Sequence, residues 1–490
     1  MTVPFTQVPA NIRTPLFFAE LDNSQANSGV QQQRSLIIGQ MLAAGTATAN
    51  VPVLMQGTGW AKGAFGQGSQ LALMADWYRK RDGFGEVWCL PLADAAGTAA
   101  TGTVTFTAAA TSAGTFFLYV GGMLVAQPVL TTQTVTQLAT ALAAQINANP
   151  DLPVTAASLA GAVTLTARNK GTLGNGIDLR YNYQGAAGGE VLPVGLAVTL
   201  VQMASGATDP TLTTALTNLA DKSFDFIVLP YTDSTSLNAI RDLLAARWSA
   251  TSMIYGGAFA AAKGSAGTLQ TLGAARNDPH VSIIGFNDSP TPAWLWAANF
   301  AGAAAFSLRN DPALPLQTLA LDVLAPPVAS RFDLSTRNTL LQTGISTFTS
   351  GDDGTVRLET IITNYLTNPY GVADDSYLYI ERLYTLAAVI RRLNAKVTST
   401  YGRMKLADDG TNFRPGSNIV TPAIIRDTIV AEYRSMERDG LVQNSAQFKA
   451  NIIVQRNASN RCRVDGVLPV VPIDQLRQLC ALVQFRNSVG

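Results

Sequence analysis

The stretch GSQLALMADWYRKRDGFGEVWCLPL, residues 68–92, carries the pattern that decides the fold. Ser69 precedes an amphipathic run, which predicts a helix that is capped by this serine and ends at Gly83. The apolar run EVWCLPL that follows predicts a buried strand. Since SLIIGQM at 35–41 predicts another strand before the helix, the order strand, helix, strand indicates an α/β layer.

The same alternation returns after residue 207. FDFIVLPY, MIYGGAF and HVSIIGF are typical of strands, and the helical patterns LNAIRDLLAARW and TLQTLGAARN separate them. Between residues 93 and 207 the chain is instead rich in Thr, Ala and Gly, with alternating runs such as GTVTFTAAA and GTFFLYVGGMLV. This change predicts a β-rich α+β domain inserted into the α/β domain.

A third pattern follows Pro326-Pro327. The helices YLYIERLYTLAAVIRRLNAKV and PAIIRDTIVAEYRSMERDG and the strand-like runs FKANIIVQR and CRVDGVLPVV predict a C-terminal α+β domain. The predicted divisions are an N-terminal arm at 1–22, a discontinuous α/β core domain at 23–92 and 208–320, an inserted domain at 93–207, a C-terminal domain at 321–478 and a C-terminal arm at 479–490.

The end of the chain has a two-residue apolar period, which is typical of a strand. A terminal strand needs a sheet to join, either its own or that of another molecule. The residues on its apolar side are Leu479, Ala481, Val483 and Phe485, and those on the other side are Gln478, Cys480, Leu482 and Gln484.

Composition favours contact with other proteins. Charged residues make up only 14% of the 490 residues and the formal net charge is +1, whereas roughly 25% charged residues is average. A neutral surface suits protein assembly, and the lack of a long basic run argues against nucleic-acid binding. The most apolar stretch, Ala293–Leu308, is too short for a membrane span and predicts a buried helix. The N-terminus lacks the pattern of a signal peptide.

The sequence contains little that could support catalysis. His280 is the only histidine, no GxSxG elbow surrounds a serine, and an HExxH site would need two histidines. The glycine-rich stretch around Lys62 lacks the GxxxxGK[ST] spacing of a phosphate loop, so we expect a flexible loop there. No CxxC pair exists among the three cysteines, which we expect to be reduced. We therefore predict no catalytic, metal-binding or cofactor-binding residues.

Several segments together resemble the contractile-tail sheath proteins of bacteriophages, most closely the Mu-like branch. They occur in the family's order between residue 11 and about residue 486. The segments are NIRTPLFFAELDNSQA, FGQGSQLALMADWY, GTLGNGIDLRYNY, RNDPALPLQTLALDVLAPP and LSTRNTLLQTGISTFTSGDDGTVRLETIITNYLTN.

The resemblance implies a structural role. Sheath subunits stack as hexameric rings around a tail tube, are held extended, and contract to drive the tube through the host envelope. It implies a core with subtilisin-like topology but no catalytic site, and as partners the tube protein, the baseplate and the tail terminator. It also implies a place in the virion after assembly in the host cytoplasm, without membrane insertion by the sheath itself.

The resemblance further implies that both terminal arms donate a strand to the C-terminal sheet of a neighbouring subunit. The arms would lie at Thr14–Leu21, with Leu16, Phe17 and Phe18, and at Leu479–Arg486. The alternative is a strand in the subunit's own sheet.

A charged helix is the candidate for contact with the tube, and its alternative is a solvated helix face. The residues concerned are Arg426, Asp427, Glu432, Arg434, Glu437 and Arg438.

Three other functions stay open at this point. A sheath of a phage-derived injection particle or a bacteriocin would share the same mechanics. A degenerate serine hydrolase would react with a fluorophosphonate. A fibrous adhesin would bind carbohydrate through residues 94–206.

Overall fold

The computed structural model describes residues 33–414 and 416–485. Within these ranges the chain forms two compact units. The larger unit comprises residues 33–388 with 472–485, and the smaller unit comprises residues 389–471. The predicted N-terminal arm, with Leu16, Phe17 and Phe18, lies outside the described residues.

The strands and helices of the larger unit have the following bounds. Its strands are β1 (Ser35–Gln40), β2 (Val53–Leu54), β3 (Val87–Leu92), β4 (Ala99–Ala108), β5 (Gly114–Val120), β6 (Met123–Val129), β7 (Val154–Leu159), β8 (Ala162–Lys170), β9 (Leu179–Tyr181), β10 (Ala197–Ala204), β11 (Phe226–Val228), β12 (Gly257–Lys263), β13 (Val281–Phe286), β14 (Ala320–Leu321), β15 (Thr347–Ser350) and β16 (Val356–Thr360). Its helices are α1 (Thr58–Phe65), α2 (Gln70–Arg79), α3 (Val135–Ala148), α4 (Thr213–Thr217), α5 (Ser234–Arg247), α6 (Ala266–Ala274), α7 (Ala293–Asn310) and α8 (Leu334–Gln342).

A parallel sheet forms the centre of the larger unit. Its parallel strands lie in the order β3-β1-β11-β12-β13, and β2 pairs antiparallel with the outer side of β3. Numbered along the chain, the parallel strands have the order 2-1-3-4-5, which is a doubly wound α/β order. Every residue of β1 and β13 is buried, as expected where helices cover both faces of a sheet.

The two faces of this sheet have separate apolar cores. Ile37 of β1 and Phe259 of β12 pack with residues of α2 and α7. The alternate residues Leu36 and Ala258 pack on the other face with residues of α5 and α6. The period of two along each strand therefore divides its apolar side chains between two layers of helices.

The predicted Ser69 cap and the predicted buried helix are confirmed, whereas α2 ends at Arg79 and not at the predicted Gly83. The Ser69 hydroxyl accepts a hydrogen bond from the Ala72 amide at the start of α2. Helix α7 contains the alanine-rich stretch that the sequence predicted to be buried. Gly302 allows α7 to approach α2 closely, because a Cβ atom there would lie 2.6 Å from the carbonyl oxygen of Tyr78.

The glycine-rich stretch before α2 is partly helical, so the prediction of a flexible loop throughout it is wrong. Helix α1 occupies Thr58–Phe65 and buries Ala61 and Phe65. Lys62 on this helix forms ion pairs with Asp151 at 2.9 Å and Asp76 at 3.5 Å. Burial of Phe65 and these ion pairs outweigh the low helix propensity of the glycines.

Residues 93–207 form two antiparallel sheets and α3. The sheets have the orders β10-β4-β8-β7 and β6-β5-β9. Helix α3 begins with a capping box between Thr134 and Gln137. The buried residues of this region belong to the same apolar cluster as α2 and α7, so the region packs as part of the larger unit.

Residues 321–388 also pack with the larger unit, although the sequence predicts that the C-terminal domain begins at residue 321. Strands β14, β16 and β15 form an antiparallel sheet in that order. This sheet continues the central one, because the Ser346 amide donates to the Ile283 carbonyl at 2.8 Å and the Ser346 carbonyl accepts from Gly285 at 3.1 Å.

The smaller unit contains the end of α9 (Ile380–Tyr401), which begins in the larger unit. Its other elements are β17 (Lys405–Leu406), β18 (Ile419–Val420), α10 (Pro422–Arg438), α11 (Ser445–Asn451), β19 (Ile453–Arg456) and β20 (Val464–Val467). Its core contains a stacked pair, Tyr433 and Phe448, with ring centroids 3.7 Å apart. Because Phe448 faces this core from α11, the predicted strand FKANIIVQR is helical as far as Asn451 and begins its strand only at Ile453.

Candidate assembly surfaces

The carboxyl edge of the central sheet is where a doubly wound protein binds its ligand. Here the inserted region fills that crevice. The Gln40 side-chain amide at the end of β1 donates to Asp94 and to the Lys170 carbonyl, both at 2.8 Å. The Asn169 side chain accepts from the Gln70 amide at 2.9 Å, at the start of α2. A helix N-terminus in this position holds phosphate in many enzymes, and here an asparagine of the same chain takes that place.

The space left beside these residues is small. The cavity lined by Gln40, Gln70 and Asn169 has a volume of about 20 Å³, enough for roughly one water molecule. Three polar side chains therefore close the crevice and hold the inserted region against the sheet.

His280 lies away from this crevice, before the first residue of β13. Its ring stacks on Trp248 with centroids 4.7 Å apart, and burial lowers the pKa of His280 to about 4. The histidine is therefore neutral at physiological pH and packs as part of the structure. In the part of the chain that the structure describes, no group of three or more His, Cys, Asp or Glu side chains could hold a metal ion. No helix found in those residues has the length and apolarity to cross a membrane.

The cysteines differ from one another. Cys89 is buried in β3, where burial raises its pKa, whereas Cys462 and Cys480 are exposed and free. Cys462 and Cys480 lie outside the strands.

In the C-terminal segment, exposed and partly buried residues alternate up to Arg477, and residues 478–485 are all exposed. Arg477 forms an ion pair with Glu381 at 2.6 Å. The segment has no regular secondary structure from Ile473 to Phe485, and each apolar side chain of the predicted arm is exposed. Leu479 is 87% exposed, Val483 87% and Phe485 86%, and Ala481 is also exposed. The described residues of the arm thus form no strand with their own subunit.

The smaller unit contains a two-stranded sheet with both outer edges open in the described chain. Strands β19 and β20 pair antiparallel, with Ile453 opposite Val467. These two side chains are 52% and 61% exposed. Two strands alone are only marginally stable, and open edges offer main-chain groups to another strand.

Helix α10 separates the charged residues that the sequence grouped together. Arg426, Asp427, Arg434 and Arg438 are exposed. Glu432 is not available at the surface in the same way, because its carboxylate accepts from Arg392 at 2.6 Å.

Glu437 likewise accepts a hydrogen bond within the smaller unit, from the Ser445 amide at 2.9 Å. Hydrogen bonding to Ser445 lowers the pKa of Glu437. The outward face of α10 is therefore more basic than the sequence alone indicated.

Sequence reasoning missed two contacts at these surfaces, the Asn169 contact at the crevice and the Arg477–Glu381 pair. Asn169 has no sequence signal, because its partners lie about 100 residues away in the chain. Glu381 does have one, since it lies between the buried apolar positions Ile380 and Leu383 of α9. An acid among core positions indicates a buried partner of opposite charge.

Two family models match the chain. The phage tail sheath protein central domain matches residues 205–364, and the phage tail sheath C-terminal domain matches residues 372–486. The Mu-like prophage FluMu tail sheath protein of Haemophilus influenzae is 38% identical over 488 residues, which cover 99% of this chain and 100% of that protein.

Solved structures are similar in fold at much lower identity. The anti-feeding prophage baseplate structure contains a chain with a TM-score of 0.50 and 12% identity, covering 98% of this chain and 100% of that one. The sheath tail protein of Desulfitobacterium hafniense has a TM-score of 0.49 and 13% identity, covering 94% and 97% respectively. On the strength of the family models and the full-length relative, the chain belongs to the contractile phage tail sheath proteins, in the Mu-like branch, and is a structural component of the virion tail and not an enzyme.

Proposed function

We propose that this subunit polymerises as stacked hexameric rings around a tail tube, and that its terminal segments tie it to neighbouring subunits. The observation that carries the proposal is the run from Leu479 to Phe485, which has alternating apolar side chains and no strand partner in its own subunit. Leaving these side chains in water is unfavourable, so a sheet of a neighbouring subunit would stabilise them.

The acceptor in this proposal is the β19–β20 sheet of another copy. A donated strand satisfies the main-chain groups at an open edge and gives affinity through hydrogen bonds. The sheet has two open edges, so it can accept one strand from each kind of arm. The N-terminal segment with Leu16, Phe17 and Phe18 donates the second strand.

These links explain how the sheath stays connected while its rings move. In this proposal the pairing strands belong to the terminal arms and not to the subunit core, so neighbouring subunits rotate without losing their strand pairing. The extended sheath is metastable and contracts to drive the tube through the host envelope, and contraction increases the buried surface. Rings assemble in the host cytoplasm between the baseplate and the tail terminator, without binding nucleic acid or entering a membrane.

The tail tube contacts helix α10. What supports this is the exposed stripe of Asp427, Arg434 and Arg438, spaced seven and then four residues apart on one helix face. A charged contact that is screened by water is weak, which suits a tube that has to slide. Glu432 and Glu437 also accept hydrogen bonds within the smaller unit, so the proposed contact depends mainly on the other charged residues of the helix.

The finer description of the core is part of the proposal. We propose that the α/β core has a subtilisin-like layout that has no catalytic site, supported by its parallel sheet with helices on both faces. The division at 93–207 and the arm at 479–490 belong to the same proposal. A phage-derived injection particle would use the same mechanics, and the neighbouring genes for capsid and terminase distinguish it from an infectious phage.

Deletion of residues 479–490 tests the strand donation. The truncated subunit should fold with unchanged circular dichroism and should no longer form tubes in negative-stain electron microscopy. A matched pair of full-length variants separates loss of pairing from loss of length. Leu479→Ser with Val483→Ser removes the apolar side and should weaken polymerisation, whereas Gln478→Ser with Gln484→Ser changes the other side and should not. Normal tubes from the deletion variant would rule the proposal out.

The tube contact has its own test. Arg434→Glu with Arg438→Glu reverses the exposed face of α10 and should reduce co-sedimentation of sheath with tube at low salt. Arg241→Glu, on the exposed face of α5, is the control. Equal co-sedimentation of both variants would place the tube contact elsewhere.

A further inference from the structure

Arg477 is the last described residue of the C-terminal segment that is not exposed, although Leu476 before it is exposed. The side chain of Arg477 is only 15% exposed, and Leu479 is almost fully exposed. A force applied to the arm therefore acts first on the contacts of Arg477.

The partner of Arg477 is a carboxylate with no access to solvent. The Glu381 side chain is 0% exposed. One of its oxygens accepts from the Leu316 amide at 2.9 Å and the other accepts from Arg477 Nη2 at 2.6 Å. A buried carboxylate that loses its cation is strongly destabilising, so the ion pair holds the segment firmly in place.

An aromatic contact adds to the ion pair. The Arg477 guanidinium lies 4.4 Å from the centroid of the Tyr379 ring, within the range of a cation–π interaction. Neighbouring contacts of the segment are weaker. Gln317 donates to the Leu476 carbonyl at 3.2 Å, and Arg382 approaches the exposed Asp474 carboxylate at 3.4 Å.

We propose that Arg477 is the positioning residue of the C-terminal arm. It fixes the point at which the arm leaves the subunit, while the residues after Gln478 are free to follow a neighbouring copy. This assignment rests on the proposed strand donation for its biological role, but the anchor itself is a property of the single subunit. Because Glu381 lies in the first turn of α9, a pull on the arm reaches that helix directly.

Two truncations that differ by two residues test the anchor in the unassembled subunit. A chain that ends at Gln478 keeps the ion pair, and its Tm should equal that of the full chain. A chain that ends at Leu476 leaves Glu381 without its cation, and its Tm should fall by about 5 °C. Equal Tm values for the two truncations would overturn the proposal.

A charge-neutral pair of substitutions covers the case in which the shorter chain does not fold. Arg477→Met alone leaves a buried charge, whereas Arg477→Met with Glu381→Gln removes both charges. The double variant should recover at least half of the lost Tm, since coupled residues are non-additive. If the double variant loses as much as the sum of the two single variants, the residues are not coupled and the proposal fails.

Trypsin provides a readout that general destabilisation does not mimic. The protease must bind the arginine side chain before it cleaves after Arg477, so the ion pair protects that bond. Glu381→Gln releases the Arg477 side chain without changing the shape of residue 381 and should raise the rate of cleavage after Arg477 about tenfold, measured as peptides that begin at Gln478. Cleavage after the exposed Arg434 should not change. Equal rates of cleavage after Arg477 in both proteins would contradict the proposal.

Different experiments test the anchor and the strand donation. If the chain truncated at Gln478 still forms tubes, the proposed donation is wrong, and the Tm difference between the two truncations still decides the anchor.

Discussion

The central sheet and the β19–β20 sheet differ in how much of their surface is covered by the same chain. Helices cover both faces of the central sheet, and Gln40, Asp94 and Asn169 close its carboxyl edge with hydrogen bonds from the same chain. The β19–β20 sheet has only two strands and leaves Ile453 and Val467 exposed. The first sheet is complete in one molecule, whereas the second is completed by another molecule under the function proposed above. Under that proposal, the stability of the subunit and its assembly depend on different sheets.

We expect the largest loss in free energy of unfolding when the ion pair at the amino end of the central sheet is removed. Asp82 is fully buried, and Arg309 binds both of its oxygens at 3.0 and 3.1 Å. Burial by itself raises the pKa of Asp82, but hydrogen bonds and charge attraction from Arg309 outweigh it and hold that pKa below its ordinary value. Replacing Arg309 with Ala should cost about 3–5 kcal/mol in free energy of unfolding.

Urea denaturation of the unassembled subunit measures this loss. Arg241→Ala is the control, because its ion pair with Asp242 is solvent-exposed and should contribute less than about 1 kcal/mol. Similar losses for both variants would show that the closed sheet does not depend on its buried charge.

A pH dependence of stability should follow from the one histidine, in addition to that of the carboxylates. His280 is the only histidine of the chain, and burial lowers its pKa to about 4. The unfolded chain binds a proton at about pH 6.5, before the folded chain does. Stability is therefore greatest above pH 6.5 and falls as the pH is lowered towards 4, by about 2 kcal/mol for this half-buried group.

Comparison of wild type with His280→Gln at pH 7 and pH 4.5 isolates this contribution. The wild type should lose more stability between the two values than the variant does. An identical loss in both proteins would assign the pH dependence to the carboxylates instead.

The smallest effect on the free subunit should come from the open sheet. Ile453→Lys and Val467→Lys, made singly, replace exposed side chains and should change the free energy of unfolding by less than about 0.5 kcal/mol. A lysine on an exposed strand discourages pairing with another strand, so the concentration needed for polymerisation should rise about tenfold or more. Light scattering follows polymerisation. Unfolding of either variant, or its normal polymerisation, would remove the contrast between the two sheets.

Local patterns in the sequence predict the core of this fold well. The alternation of strands and helices, the Ser69 cap and the burial of α7 all depend on neighbours within a few residues, and the structure confirms them. The predicted strand at FKANIIVQR was wrong in its first half because Phe448 packs on Tyr433 from a helix. That contact joins α11 to α10 and leaves no trace in the local apolar period.

The candidate assembly residues were less accessible to sequence reasoning. The apolar period at residues 479–485 is a local feature, but it indicates only that a sheet is needed. The anchor at Arg477 depends on Glu381, 96 residues earlier in the chain, and the crevice contact of Asn169 depends on Gln70, 99 residues earlier. Pairs at such separations arise from the topology, which a single sequence does not reveal.

The proposed donor segment and its acceptor sheet lie on different parts of the same polypeptide, and this placement has a consequence for length control. A contact between two unlike surfaces does not close on itself as a twofold dimer does, and it generates open helical filaments when its rotation does not bring the chain back to its start. Every added ring then presents the same free surface as the one before it. The contacts between subunits do not limit the length of such a polymer. A separate template therefore has to set the length of the sheath.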